Sequence, residues 1–127
     1  MRRWDTRQIP RKAYVKSMTH DKPILIVGGS GVFGSRLAAG LVHDGFGNVI
    51  IAGRDLARAE KTAKALGCRG IALDITRDDL SDQLRALAPW LVIDAAGPFQ
   101  AYGGYRLAEA AIEAGAHCFD LSDDGAF

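Results

Sequence analysis

Ile24-Leu25-Ile26-Val27-Gly28-Gly29-Ser30-Gly31-Val32-Phe33-Gly34 joins an apolar run to a glycine-rich turn and to the start of a different periodicity. Consecutive apolar side chains closed by glycines fit a strand buried on both faces. Beyond the turn, Phe33, Leu37 and Leu41 recur at four-residue spacing with Ala38 and Val42 beside them, which predicts a helix. It ends near Asp44-Gly45, where glycine takes the left-handed cap at little cost. Within this frame Gly29-x-Gly31-x-x-Gly34, or in a related spacing Gly28-x-x-Gly31-x-x-Gly34, satisfies the dinucleotide fingerprint. The first glycine allows the sharp turn, Gly31 lets a pyrophosphate reach the backbone, and Gly34 lets helix and strand pack closely. Gly28, Gly29, Ser30, Gly31, Val32, Phe33 and Gly34 therefore form the expected phosphate cradle, at the positive end of the helix dipole. The alternative is a glycine-rich turn that holds no ligand.

The same alternation continues to the end of the chain. Val49-Ile50-Ile51-Ala52 reads as a second strand, and Asp55 caps a helix with Leu56, Ala59, Ala63 and Leu66 on one face and Gly67 after it. Ile71-Ala72-Leu73 is a third strand ending at Asp74, and Thr76-x-x-Asp79 resembles a capping box before Leu80, Leu84 and Leu87. Leu91-Val92-Ile93 is a fourth strand, closed by Asp94-Ala95-Ala96-Gly97-Pro98 with Asp94 as a turn former. Tyr105, Ala108, Ala111 and Ile112 mark a helix ended by Gly115, and His117-Cys118-Phe119 is a fifth strand. Repeated βαβ units predict an α/β fold, a Rossmann-like doubly wound parallel sheet of five strands in the order 3-2-1-4-5. The sixth strand of a full sheet of this kind is missing from the pattern.

The residues after strand two choose between nicotinamide cofactors. Domains that bind NAD(H) usually place a carboxylate there for the ribose 2′-hydroxyl. Here Ala52-Gly53 leaves room and Arg54 offers a guanidinium fork for a 2′-phosphate, which favours NADP(H) over NAD(H). A solvated surface arginine is the plain alternative. Asp55 can serve a ribose hydroxyl or cap the helix that follows, and Arg58, one turn on, can add positive charge. Asp74 and Ile75 either flank the adenine or simply terminate strand three. Ala96, Gly97 and Pro98 face the switch point between strands one and four, where small residues let a nicotinamide ribose approach. Asp120, Ser122, Asp123 and Asp124 form either a substrate-facing cluster or a solvated acidic tail.

Composition limits the rest. Glycine contributes 15 of 127 residues, an excess that asks for close backbone approaches. Net charge is +1, so a strongly basic nucleic-acid surface is not expected. Residues 1–22 carry seven Lys/Arg against two Asp, and residues 23–127 nine against thirteen Asp/Glu, so a flexible basic arm precedes a mildly acidic domain. Met18 is a candidate native start. The free thiols Cys68 and Cys118, expected on opposite sides of the sheet, point to a reducing compartment, and with no apolar run of membrane-span length the expected location is cytoplasmic. Tyr102 is followed four residues later by Arg106, and Tyr105 by Glu109, so the Tyr-x-x-x-Lys pair of short-chain dehydrogenases is lacking. His20, His43 and His117 are scattered, and no metal-ligand spacing occurs.

Three motifs give the chain a family resemblance: Ile26 to Gly34; Ala52-Gly53-Arg54-Asp55; and Asp94-Ala95-Ala96-Gly97-Pro98-Phe99, continuing through Tyr102-Gly103 to Ala114-Gly115-Ala116-His117-Cys118-Phe119-Asp120-Leu121-Ser122. Over residues 24–124 the chain resembles the N-terminal NADP-binding domain of the saccharopine dehydrogenase family. The resemblance implies that Gly28, Gly31 and Gly34 hold the pyrophosphate, that Arg54 holds the 2′-phosphate, and that Gly97 and Pro98 lie near the nicotinamide. It also implies an oxidoreductase that couples an amino acid to a carbonyl compound through an imine and hydride transfer. Family enzymes continue past this point with a region for the small-molecule substrate and for a homodimer contact, which a chain stopping at Phe127 does not carry. The expected function is thus the cofactor domain of such an enzyme, inactive alone. The competing readings are a stand-alone NADP(H)-sensing module and a nucleotide-sugar enzyme on the same fold.

Overall fold

The apolar runs become the strands of one parallel sheet. The computed structural model describes residues 22–95 and 106–120. Its strands are β1 (Ile24–Val27), β2 (Val49–Gly53), β3 (Arg69–Ala72), β4 (Leu91–Asp94) and β5 (His117–Asp120), in the order β3-β2-β1-β4-β5. Every neighbouring pair is parallel. The helices are α1 (Val32–His43), α2 (Leu56–Leu66), α3 (Leu80–Leu87) and α4 (Arg106–Glu113). The doubly wound α/β sheet expected from the alternation is the observed one. Residues 1–21 of the basic arm, and Ala96, Gly97, Pro98, Phe99, Tyr102, Tyr105, Ser122, Asp123 and Asp124, lie outside the described residues.

Alternate residues of β1, β2 and β4 feed two separate cores, which explains why β1 and β2 carry no polar position. Leu25, Val27, Ile50, Ala52 and Val92 point to one face, where they meet Leu80 and Leu84 of α3 and Leu107, Ala110 and Ala111 of α4. Ile24, Ile26, Val49, Ile51 and Ile93 point to the other, against Ala38 of α1 and Ala59 and Ala63 of α2. Cys68 packs against the second core and Cys118 against the first, so the two thiols are separated by the sheet. Among the described residues no helix is long and apolar enough to cross a membrane.

Three helices expose an apolar residue that the sequence spacing places inward. In α1, Ala38 is buried and Leu37, Leu41 and Val42 pack against the core as expected, but Phe33 is 75% exposed, because Gly34 must lie against the Gly28-Gly29 turn and thereby rotates Phe33 outward. In α2, Leu56 is 45% exposed and small alanines make the close sheet contact. In α4 the buried stripe is Leu107, Ala110 and Ala111, which leaves Ile112 in solvent.

β3 starts at Arg69, two residues before its expected start. The cause lies in Gly70, paired with Ile51, where an added Cβ would stand 2.6 Å from the Ala59 backbone. Only glycine lets the strand pass this close beneath α2. Leu73 still donates its amide to the Gly53 carbonyl at 2.8 Å, although it lies past the strand end. β4 runs to Asp94, which is buried and paired with Val27 and Asp120, so it is a strand residue and not a turn former.

The helix ends follow their sequence signals at Gly45 (φ 96), Gly67 (φ 78) and Gly115 (φ 80). The exception is Ala88, which closes α3 at φ 49 in the left-handed region. That conformation costs an L-residue about 1–2 kcal/mol and glycine almost nothing. Ala88→Gly is therefore expected to raise unfolding stability by about 0.5–1 kcal/mol after the added freedom of the unfolded chain is subtracted. A denaturant midpoint that falls in the variant would contradict this.

Candidate functional site

The sheet topology puts its switch point between β1 and β4, and the glycine turn follows β1 at that point. Gly28 sits at φ 81, with its amide on the Ala52 carbonyl at 2.8 Å and its carbonyl on the Gly31 amide at 3.0 Å. A Cβ at Gly34 would stand 2.6 Å from the Gly28 carbonyl oxygen and 2.6 Å from the Gly29 Cα, so α1 packs directly on the turn. At Gly29 a Cβ would meet the Ile51 side chain at 2.8 Å, which turns this glycine inward. Gly31 differs: its Cβ would find only the Gly28 carbonyl oxygen at 3.4 Å, and open space otherwise.

The tip of α1 is left uncapped. Gly31 is its N-cap and supplies no side chain, and no acidic residue occupies the first turn. The first helical amide with an acceptor in the protein is Ser35, bonded to the Gly31 carbonyl at 2.9 Å. Among the described residues the amides of Val32, Phe33 and Gly34 find none. Orphan amides at a helix N-terminus, backed by the dipole, attract an anion. The residues present thus fit a pyrophosphate in both shape and donor set.

This tip opens onto a cleft of ≈ 540 Å³ running across the carboxyl ends of β1, β2 and β3. Gly28, Ser30 and Gly31 form one wall, Arg54, Asp55 and Arg58 a second, and Leu73, Ile75 and Thr76 a third. Of the residues expected to hold a cofactor, Gly28, Ser30, Gly31, Arg54 and Ile75 line it. Gly29 and Gly34 shape it from beneath. Val32 and Phe33 expose their side chains outside the lining, so only their amides face an anion at the helix tip. Asp74 is not part of the lining.

The charges along the cleft have defined roles. Asp55 is the N-cap of α2, accepting the Arg58 amide at 3.2 Å, as its capping reading expects. Arg54 and Arg58 both turn toward the cleft, and among the described residues neither guanidinium makes a hydrogen bond or ion pair. Asp74 takes the Thr76 hydroxyl at 2.6 Å and the Thr76 amide at 2.9 Å. Thr76 is therefore committed to a turn, and the expected capping box does not form; Asp79 occupies the N-cap of α3 without a capping bond. The lining role of Thr76 and Leu73 had no signal in the sequence, since both depend on where β3 ends.

The Thr76 hydroxyl and amide, and then the nearby Arg54 and Arg77 charges, hold the Asp74 carboxyl below its ordinary value. A carboxyl depressed in the folded state stabilises at pH above its unfolded value, and that contribution disappears as pH falls through the folded one. The stability gap between wild type and Asp74→Asn is expected to be constant from about pH 7 to 5 and to shrink as pH approaches about 3. A gap independent of pH over that range, measured by denaturant titration, would contradict the assignment. Burial raises the Cys68 thiol, and burial with the Asp94 and Asp120 charges raises Cys118, so neither is an activated nucleophile.

Comparison with known proteins agrees with this geometry. The family model described as the saccharopine dehydrogenase NADP binding domain matches residues 24–124. Among solved structures, the chain is similar to apo saccharopine dehydrogenase (L-Glu forming) from Saccharomyces cerevisiae, at TM-score 0.66 and 28% identity over 78% of this chain. It spans only 21% of that enzyme. The Pseudomonas aeruginosa RhlG/NADP active-site complex shares the fold at TM-score 0.58 and 21% identity, over 76% of this chain and 44% of that one. So does Helicobacter pylori ADP-L-glycero-D-manno-heptose-6-epimerase, at TM-score 0.61 and 19% identity, over 80% and 39% of the two chains. No curated protein sequence matches the chain. With the fold, the uncapped helix tip and a family match over the whole of the sheet, the chain belongs to the saccharopine dehydrogenase NADP-binding domain family.

Proposed function

We propose that this domain binds NADP(H) in preference to NAD(H) and serves as the cofactor half of an oxidoreductase acting on a CH–NH donor. The observation that carries the reading is the convergence on one cleft of the orphan amides of α1 and the uncommitted guanidinium groups of Arg54 and Arg58. The carboxylate that could read a ribose 2′-hydroxyl, Asp55, already serves as a helix cap. When bound, the nicotinamide supplies hydride transfer; the residues of this chain bind and orient the dinucleotide. The α1 amides hold the pyrophosphate, Arg54 holds the 2′-phosphate, and Ile75 and Thr76 border the adenine. Ala96, Gly97 and Pro98 border the nicotinamide ribose in this reading.

The small-molecule substrate and a homodimer contact are assigned to a further region of the polypeptide, in keeping with the 21% of the similar saccharopine dehydrogenase that the chain spans. A cytoplasmic location is in keeping with the free thiols Cys68 and Cys118. Calorimetric titration tests the cofactor preference. NADP should bind about 10–100-fold tighter than NAD, the worth of one charge-assisted contact of about 1.5–3 kcal/mol. Equal affinities would reject the reading.

A further inference from the structure

One arginine that no cofactor motif includes holds the loop after β3. Arg106, the first described residue of α4, donates from Nε to the Ile75 carbonyl at 2.6 Å, and from one terminal nitrogen to the Thr76 carbonyl at 3.1 Å and the Arg77 carbonyl at 2.6 Å. Consecutive carbonyls thus converge on a single guanidinium. From its other side the loop is fixed by the Asp74 carboxylate, which takes the Thr76 amide and hydroxyl. Between these two anchors Ile75 and Thr76 border the cleft, and Ile75 is also part of the core beneath α3 and α4. The Arg106 contact with the exposed Asp78 at 3.5 Å adds little, as solvent-screened pairs do.

We infer that Arg106 is a positioning residue that sets the adenosine side of the cleft by clamping the Ile75–Arg77 carbonyls to α4. The inference rests on the dinucleotide reading of the cleft given above. Arg54 lies near enough to Asp74 to depress its carboxyl, so a 2′-phosphate on Arg54 brings the adenosine against the same loop. Without the guanidinium, the Ile75 and Thr76 carbonyls lose their partner and must turn toward water. The Arg77 carbonyl keeps the Leu80 amide, so α3 retains its start. The loop would move while the sheet stays in place. Lysine cannot replace this arginine, because one ammonium lacks the rigid fork that spans several acceptors.

The test titrates the full chain with NADP, NAD and 2′,5′-ADP, for wild type, Arg106→Ala and Arg106→Lys, at a temperature where circular dichroism shows each folded. Both variants should bind all three ligands about tenfold more weakly, with the ratio of NADP to NAD affinity unchanged. If Arg106→Ala fails to fold, Arg106→Lys gives the result alone. Variants that lose thermal stability yet bind 2′,5′-ADP like wild type would overturn the inference and reduce the clamp to a structural tie. A changed NADP to NAD ratio would overturn it too, by placing Arg106 at the 2′-phosphate. A wild type that binds none of the three ligands would instead defeat the dinucleotide reading, and this inference with it.

Discussion

Replacing Gly34 with alanine is expected to abolish dinucleotide binding and to lower unfolding stability by about 1–3 kcal/mol. The added Cβ would stand 2.6 Å from two backbone atoms, the Gly28 carbonyl oxygen and the Gly29 Cα. Backbone cannot rotate away as a side-chain tip can, so either α1 lifts or the turn shifts. Either movement displaces the Val32, Phe33 and Gly34 amides from the line they share. Gly31→Ala isolates the other half of the effect. Its Cβ meets only the Gly28 carbonyl oxygen at 3.4 Å, so the variant should fold with near-normal stability and still lose affinity, because the methyl occupies phosphate space. Denaturant unfolding and NADP titration read both quantities. Wild-type affinity in Gly34→Ala would show that the packing of α1 on the turn does not shape the cradle.

The second large effect belongs to Arg54. Arg54→Ala should weaken NADP binding about 10–100-fold, leave NAD binding within about twofold, and change stability by less than about 0.5 kcal/mol. Stability is spared because, among the described residues, the guanidinium holds no hydrogen bond or ion pair that folding requires. Arg54→Lys should fall between, since it keeps the charge and loses the two-pronged geometry. An equal loss for both cofactors would mean that Arg54 touches something they share, such as the pyrophosphate. In that case the 2′-phosphate contact would pass to Arg58, the other guanidinium on the same wall.

What could be read from the sequence was whatever the backbone itself imposes. A strand buried on both faces, a turn at positive φ and a helix that must touch the turn leave few residue choices, and Gly28, Gly31 and Gly34 announce them. Helix ends at Gly45, Gly67 and Gly115 were legible for the same reason. Features that depend on contacts distant along the chain were not. The offset of β3 is decided by Gly70 passing beneath Ala59, and the exposure of Phe33 is decided by Gly34 lying against the turn rather than by its apolar spacing. Thr76 has the spacing of a capping box, but Asp74, two residues before it, offers its hydroxyl and amide a nearer acceptor. Arg106 was visible only as the residue standing where a dehydrogenase lysine would be. Its carbonyl partners lie some thirty residues earlier and become neighbours only when α4 closes on the loop after β3.

In the proposed cofactor site, the free amides of α1 and the guanidinium of Arg54 grip one ligand together. Nitrogen-15 NMR of the full chain during titration with NADP tests it most directly. The largest shifts should fall on the amides of Gly31, Val32, Phe33 and Gly34 and on the Arg54 Nε, with the Arg54 signal still when NAD is used instead. Shifts concentrated elsewhere on the chain, with the α1 amides unmoved at saturating NADP, would rule out this joint grip.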